Sequence, residues 1–203
     1  MKILNLYAGI GGNRKLWGDE HEITAIENNE EIANIYQHIF PNDKVIITDA
    51  HQYLLEHFKE FDFIWSSPPC PSHSRFQHLK QNFEETIKKY PNMELYEEII
   101  YLKHFFKGRW VVENVISYYE PLIKPQVCDS HYYWSNFIIP FIKNTKRGVR
   151  GQDFEYLEKE IGFDFKGINI PKRFYEKIIR NCVKPESGLY IFKCAFKEQQ
   201  QTI

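Results

Sequence analysis

The chain has 203 residues, enough for one domain with a buried core and little more. A hydrophobic share of 43% with 26% charged residues excludes a disordered chain, and no apolar run is long enough to span a bilayer. A formal net charge of −1 means that any nucleic-acid partner must be met by a local basic face.

The N-terminus lacks a signal-peptide pattern. The cysteines, Cys70, Cys128, Cys182 and Cys194, form no CxxC pair, so neither a zinc site nor a disulfide framework is indicated. A reduced, cytoplasmic setting without a membrane partner is expected.

Residues 2–6 form a short apolar run that predicts a strand, followed by a turn with Gly9, Gly11 and Gly12. Asn13–Trp17 can then open a helix. Glu22–Ile26 is β-like, Glu30–Phe40 has helical spacing, Lys44–Thr48 reads as a strand and Gln52–Phe58 as a short helix. Phe61–Trp65 predicts a fourth strand, Leu95–Phe106 a helix and Trp110–Val112 a fifth strand. The alternation predicts an α/β fold, a mostly parallel sheet with helices on both faces. Beyond it, Tyr132–Phe137 and Ile138–Ile142 read as paired strands. Lys143–Arg150 is a basic loop, and Asp153–Glu160 and Arg173–Arg180 are helical. Ser187–Phe196 is ambiguous between strand and helix. No repeat or linker marks a second domain, so residues 1–203 are expected to form one.

Such sheets bind ligands beyond the carboxyl ends of their strands. The polar punctuation falls there: the glycine turn, Glu27, Asp49, Pro69-Cys70 and Glu113-Asn114. That coincidence points to an enzyme. The glycines of Tyr7-Ala8-Gly9-Ile10-Gly11-Gly12 let backbone approach a ligand closely. Alone, such a turn is as often a plain strand-to-helix connection. Glu27, at the end of the next strand, can accept from both ribose hydroxyls of a nucleotide, and Asp49 from an adenine amine. Singly, each acid would read as a solvated loop residue. A buried free cysteine is usually a small apolar filler. Cys70 follows Pro68-Pro69 and precedes Pro71, so its backbone is stiff and its sulfur aimed, which suits a nucleophile. Glu113 ends an apolar strand at the same edge, where desolvation would make it a proton donor.

Together these motifs resemble the DNA (cytosine-5)-methyltransferase family. Residues 6–12 are similar to its first cofactor motif, Ser67-Pro68-Pro69-Cys70 to its catalytic Pro-Cys motif with Ser74 four residues on, and Glu113-Asn114-Val115 to its Glu-Asn-Val motif. Tyr132-Tyr133-Trp134-Ser135-Asn136 resembles the Tyr-Phe-Trp-Gly-Asn stretch of animal de novo methyltransferases. Arg180-Asn181-Cys182-Val183 resembles the family's closing motif. The order of the motifs is the family's order.

The resemblance implies a Rossmann-like S-adenosylmethionine-dependent methyltransferase fold and methylation of cytosine carbon 5 in duplex DNA, the base flipped out of the stack. It implies S-adenosyl-L-methionine as cofactor and no metal. Cys70 would add to carbon 6 while Glu113 bonds ring nitrogen 3 and the exocyclic amine. Tyr7, Ala8, Gly9, Gly11, Gly12, Glu27, Asn28, Asp49, Ala50, Pro69, Asn181 and Val183 would line the cofactor pocket. Ser74, Arg75, Asn114 and His131 would meet the DNA. Lys143, Lys146, Arg147 and Arg150 would contact phosphates.

The sequence departs from the family at Asn5, where Asp is usual, and at Asp129 and His131, where an Arg-x-Arg pair is usual. The target-recognition segment, about 141–172, is short. So small a reader is expected to specify a short site, or to draw contacts from a homodimer or a partner subunit. Two other readings use the same motifs: cytosine-5 methylation of RNA such as tRNA, and, from Asp129 and His131, a non-catalytic regulatory partner of another methyltransferase.

Overall fold

In a computed structural model, residues 1–75, 90–142, 159, 161–165, 167–168, 170 and 172–197 are described. Strands β1 (Lys2–Leu6), β2 (Glu22–Ile26), β3 (Lys44–Ile46), β4 (Phe63–Ser66), β5 (Arg109–Val115), β6 (Gln126–Cys128) and β7 (His131–Ser135) form one sheet in the order β3-β2-β1-β4-β5-β7-β6. The first five pair parallel with one another. β7 runs antiparallel between β5 and β6. β1, β2 and β4 are almost wholly buried and correspondingly apolar, as strands covered on both faces must be.

Helices α2 (Ala50–His57) and α3 (Glu94–Phe105) pack on Leu4, Leu6, Ile64 and Val112 on one face. On the other, α5 (Pro185–Ala195) packs on Ile3, Phe63, Trp65 and Val111, and α1 (Glu30–Ile39) covers Ala25 with Tyr36. Helix α4 (Lys172–Arg180) meets α1 through Ile178, Ile179, Ile32 and Ile35. The expected α/β fold, a mostly parallel, Rossmann-like sheet with helices on both faces, is thus the fold observed.

Local chemistry sets the element ends. The Asn29 side chain accepts from the Ile32 N–H at the start of α1, and Asp49 caps α2 by accepting from Gln52 N–H. Pro185 opens α5, which resolves the ambiguous 187–196 stretch as helix.

Two expected elements differ. Asn13–Trp17 is a run of turns closed by i to i+3 bonds (Arg14 N–H to Gly11 O, Trp17 N–H to Arg14 O). Tertiary bonds outweigh helix there: Asn13 turns inward to Asn5, and the Arg14 guanidinium to Asp43 at 2.7 Å. Ile138–Ile142 is not a strand. Gln126 Nε2 donates to Phe137 O, the Ile139 N–H is taken by Gln126 Oε1, and Pro140 has no N–H to offer a ladder. β7 instead pairs with 126–128. The expected basic loop Lys143–Arg150, and the Asp153–Glu160 helix except Lys159, lie outside the described residues.

Trp17 joins the chain's two ends. Its ring contacts Phe63, Trp65 and Phe192, and its Nε1–H donates to Gly188 O. Trp17→Ala should cost about 3–5 kcal/mol, the usual loss for a buried aromatic. Urea unfolding would read this as a lower midpoint at unchanged slope.

Candidate active site

Parallel register sets the site. Leu6 is level with Ile26 and Ser66, and Ser66 with Val112. Tyr7, Glu27 and Ser67 therefore leave the sheet side by side, level with Glu113, which does not end its strand as expected: β5 runs on to Val115 because β7 pairs with it, Glu113 opposite Tyr133. Tyr7, Gly9 and Gly11 all have positive φ (55°, 55° and 79°), and a Cβ on Gly9 would meet nothing within 4 Å. The turn is open on that side, with room for a ligand against bare backbone. Glu27 braces it: Oε2 accepts from Gly9 N–H at 3.0 Å and Oε1 from Asn29 N–H at 3.0 Å. Each oxygen keeps a lone pair for a further donor.

Gly12 faces the C-terminal segment, and a Cβ there would stand 2.1 Å from Val183 O. The fold thus brings Val183 to the glycine turn. Asn181, just beyond α4, is exposed. Ala8 and Ala50 are buried. Asn28, Asp49 and Pro69 are exposed. These residues fit a nucleoside-bearing cofactor: a bare glycine backbone, a braced carboxylate and a capped acid on adjoining strand ends.

Cys70 is partly buried, and its carbonyl accepts from both His73 N–H and Ser74 N–H at 3.0 Å, a tight turn after the prolines. Burial first, and then the nearby Glu113 charge, push its thiol up from the ordinary range. The Glu113 side chain is 10% exposed, with His131 Nε2 at 3.6 Å from Oε1. Asn114, expected at the nucleic acid, is 2% exposed. Its Nδ2–H donates to Pro68 O at 2.9 Å, so it holds the cysteine loop on β5. Ser74 bridges to Ser117, and Arg75 Nε–H donates to Ser117 O, so this loop is pinned to the segment after β5.

Two of the departures from the family pattern have local explanations. Asn5 is fully buried and exchanges amide bonds with Asn13, which an unpaired carboxylate could not do. Asp129 has φ 54° in the tight turn from β6 to β7, a conformation that Asp tolerates better than most side chains. Lys143, Lys146, Arg147 and Arg150 lie outside the described residues.

Sequence reasoning missed Glu98 and His73. Glu98, on α3, is 0% exposed and accepts from Tyr7 Oη–H and Ser66 Oγ–H, each at 2.6 Å, with His51 Nδ1 at 3.3 Å. Burial, with Glu98 beside it, raises the Tyr7 hydroxyl far above its ordinary range, so it stays a donor. That bond, worth about 1.5–3 kcal/mol, offsets the strain of about 1–3 kcal/mol in a non-glycine residue at positive φ. His73 is 1% exposed with Nδ1 at 2.5 Å from the Tyr119 hydroxyl, and burial lowers its basicity. Only the helical pattern of Leu95, Ile99 and Leu102, with Glu98 on the same face, signalled the first; nothing signalled the second.

Among the described residues no group of three or more His, Cys, Asp or Glu could hold a metal ion, and no helix is long and apolar enough to cross a membrane. The sequence profile of the family described as C-5 cytosine-specific DNA methylase matches residues 1–117. The tRNA (cytosine(38)-C(5))-methyltransferase of Spodoptera frugiperda is 36% identical over 80 residues, covering 36% of this chain and 24% of the relative. That of Mus musculus is 31% identical over 81 residues, covering 37% and 20%. The matched stretch thus spans a quarter or less of these relatives. A solved structure of a Spodoptera frugiperda DNMT2 mutant is similar with a TM-score of 0.45 and 22% identity, over 71% of this chain and 53% of that one.

The raised Cys70 thiol gives a pH test. A raised pKa means that the unliganded protein holds the thiol protonated at neutral pH. Alkylation of Cys70 by iodoacetamide, followed on its own peptide by mass spectrometry, should rise with pH to a midpoint above 9, the ordinary thiol value. Glu113→Gln removes the neighbouring charge and should lower that midpoint. A midpoint below 9 in the unmodified chain would contradict the geometry.

Proposed function

Because the chain belongs to the C-5 cytosine-specific DNA methylase family, we propose that it transfers a methyl group from S-adenosyl-L-methionine to carbon 5 of cytosine in DNA, with Cys70 as nucleophile. The observation that carries this reading is the meeting of a stiffened cysteine loop and a nearly buried, charge-coupled Glu113 beside an open glycine turn. When bound, the cofactor supplies an electrophilic methyl on a sulfonium. Glu27 and the backbone of the glycine turn would hold its ribose end, and Asp49 its adenine amine. Met there by the flipped cytosine, Glu113 would hydrogen-bond nitrogen 3 and the exocyclic amine, favouring attack by Cys70 on carbon 6. The charge of Glu113 is then spent on the base and no longer opposes the thiolate. On this reading Cys70 is activated by substrate, not in the free protein. With Cys70 bonded to carbon 6, carbon 5 would take the sulfonium methyl, S-adenosylhomocysteine being the leaving group; a base would then remove the hydrogen at carbon 5, and Cys70 would leave by β-elimination.

A second reading is cytosine-5 methylation of RNA. It is favoured by the two matched relatives, whose names state tRNA as their substrate. Cys70 and Glu113 would act alike on either polymer, and both being present argues against a purely regulatory partner.

One assay separates these readings: tritiated S-adenosylmethionine offered with duplex DNA, single-stranded DNA and total tRNA. Incorporation into duplex DNA is expected; incorporation into tRNA alone would replace the first reading by the second. Cys70→Ala should abolish transfer while keeping S-adenosylhomocysteine affinity within a few-fold, and Glu113→Gln should lose about 10²–10⁴-fold in turnover. The unmodified protein should form a covalent adduct on 5-fluorocytosine in its preferred polymer, because fluorine blocks elimination. Methylation without trapping would rule out the cysteine adduct.

A further inference from the structure

We infer that Glu98 is a positioning residue that couples the cofactor turn to the cysteine loop through its hydrogen bonds to Tyr7 and Ser66. The inference rests on the cofactor pocket proposed above and goes beyond it, since Glu98 touches neither of the proposed ligands. A carboxylate at 0% exposure is costly to bury, and its neighbours on α3, Leu95, Ile99 and Leu102, are all core residues. Packing alone would be served by an apolar side chain there.

What the carboxylate binds is selective. Tyr7 is the first residue after β1 and opens the glycine turn. Ser66 is the last residue of β4 and leads into Ser67-Pro68-Pro69-Cys70. His51 lies in the first turn of α2, two residues after Asp49. Tyr7 and Ser66 lead directly into segments of the proposed site and His51 directly follows one, and Glu98 is the group all three share. The hydrogen bond to Glu98 is the first cause of the raised basicity of His51 and outweighs its burial. Tyr7 is also a non-glycine residue at positive φ, so its hydroxyl bond fixes a backbone shape on which Ala8 and Gly9 depend.

The test uses the full chain and S-adenosylhomocysteine. Glu98→Gln keeps the size, removes the charge and puts an N–H donor where one of two hydroxyl donors now ends. Tyr7→Phe keeps the ring and removes only the hydroxyl. Calorimetry should show about tenfold weaker binding in folded Glu98→Gln, and a smaller loss in Tyr7→Phe. The double variant should bind no more weakly than Glu98→Gln alone, because the two changes remove one shared interaction. The KM for S-adenosylmethionine should rise in both single variants. Ser66→Ala should alter the alkylation rate of Cys70 with Tyr7 intact. A role in folding only would lower the melting temperature and leave these affinities in place. Binding of S-adenosylhomocysteine by folded Glu98→Gln within twofold of the unmodified chain, or losses that simply add in the double variant, would overturn the inference. Should Glu98→Gln fail to fold, Tyr7→Phe and Ser66→Ala decide it: wild-type affinity in the first with wild-type alkylation in the second overturns it. No binding by the unmodified chain would instead overturn the cofactor pocket itself.

Discussion

Parallel pairing across β3-β2-β1-β4-β5 is the constraint from which the site follows. A parallel strand needs a crossover to return, so every connection leaving the carboxyl edge starts from the same side. The level register of Leu6, Ile26, Ser66 and Val112 turns that rule into a place. Glycine turn, braced acid and cysteine loop are tens of residues apart in the chain, yet they leave neighbouring strand ends, level with Glu113 in β5. Burial on both faces keeps the strands rigid, and the turns inherit that rigidity.

Three carboxylates at this edge occupy different electrostatic situations. Glu98 is fully buried and met by two hydroxyls and a histidine, partners without which so deep a carboxylate would be costly to bury. Glu27 is half-buried and spends one lone pair of each oxygen on backbone N–H groups. Glu113 is nearly buried, and its described ionic neighbour is His131 at 3.6 Å, outside good hydrogen-bond distance. The carboxylate least satisfied by the protein is therefore the one beside the thiol. Its charge is the second cause, after burial, that raises the Cys70 thiol.

Much of this was legible in the sequence, for physical reasons. Strands covered on both faces read as apolar runs, so β1, β2 and β5 stood out, and Pro-Pro-Cys advertised its stiffness. Helix α1 was legible from its spacing. The failures came where tertiary bonds outweigh local pattern. Asn13–Trp17 has helical composition, yet Asn13 and Arg14 are drawn to Asn5 and Asp43, 8 and 29 residues away. Ile138–Ile142 has strand composition, yet the side chain of Gln126 occupies the backbone groups a ladder would need. Asn114 reads as a polar group at a strand end and was assigned to the nucleic acid. Its amide lies instead on Pro68 O, a partner 46 residues away that no local pattern reveals. Glu98 was hidden for a similar reason: a Glu in a helix next to Glu97 looks like solvated charge until the sheet supplies its donors.

The hairpin of β6 and β7 shows how two unusual residues can serve the site without imitating a cationic pair. Cys128 pairs with His131, so Asp129 and Ser130 are the turn. The turn places Asp129 at positive φ, where its short polar side chain is tolerated and where a long cationic one would be strained. That position is set by backbone geometry. His131 then starts β7 level with Val115, and its ring reaches back to Glu113. A guanidinium could grip the carboxylate at two points, whereas one imidazole nitrogen at 3.6 Å engages it only loosely. The acid beside Cys70 is therefore held by this described partner at longer than good hydrogen-bond distance, which leaves room for a stronger donor.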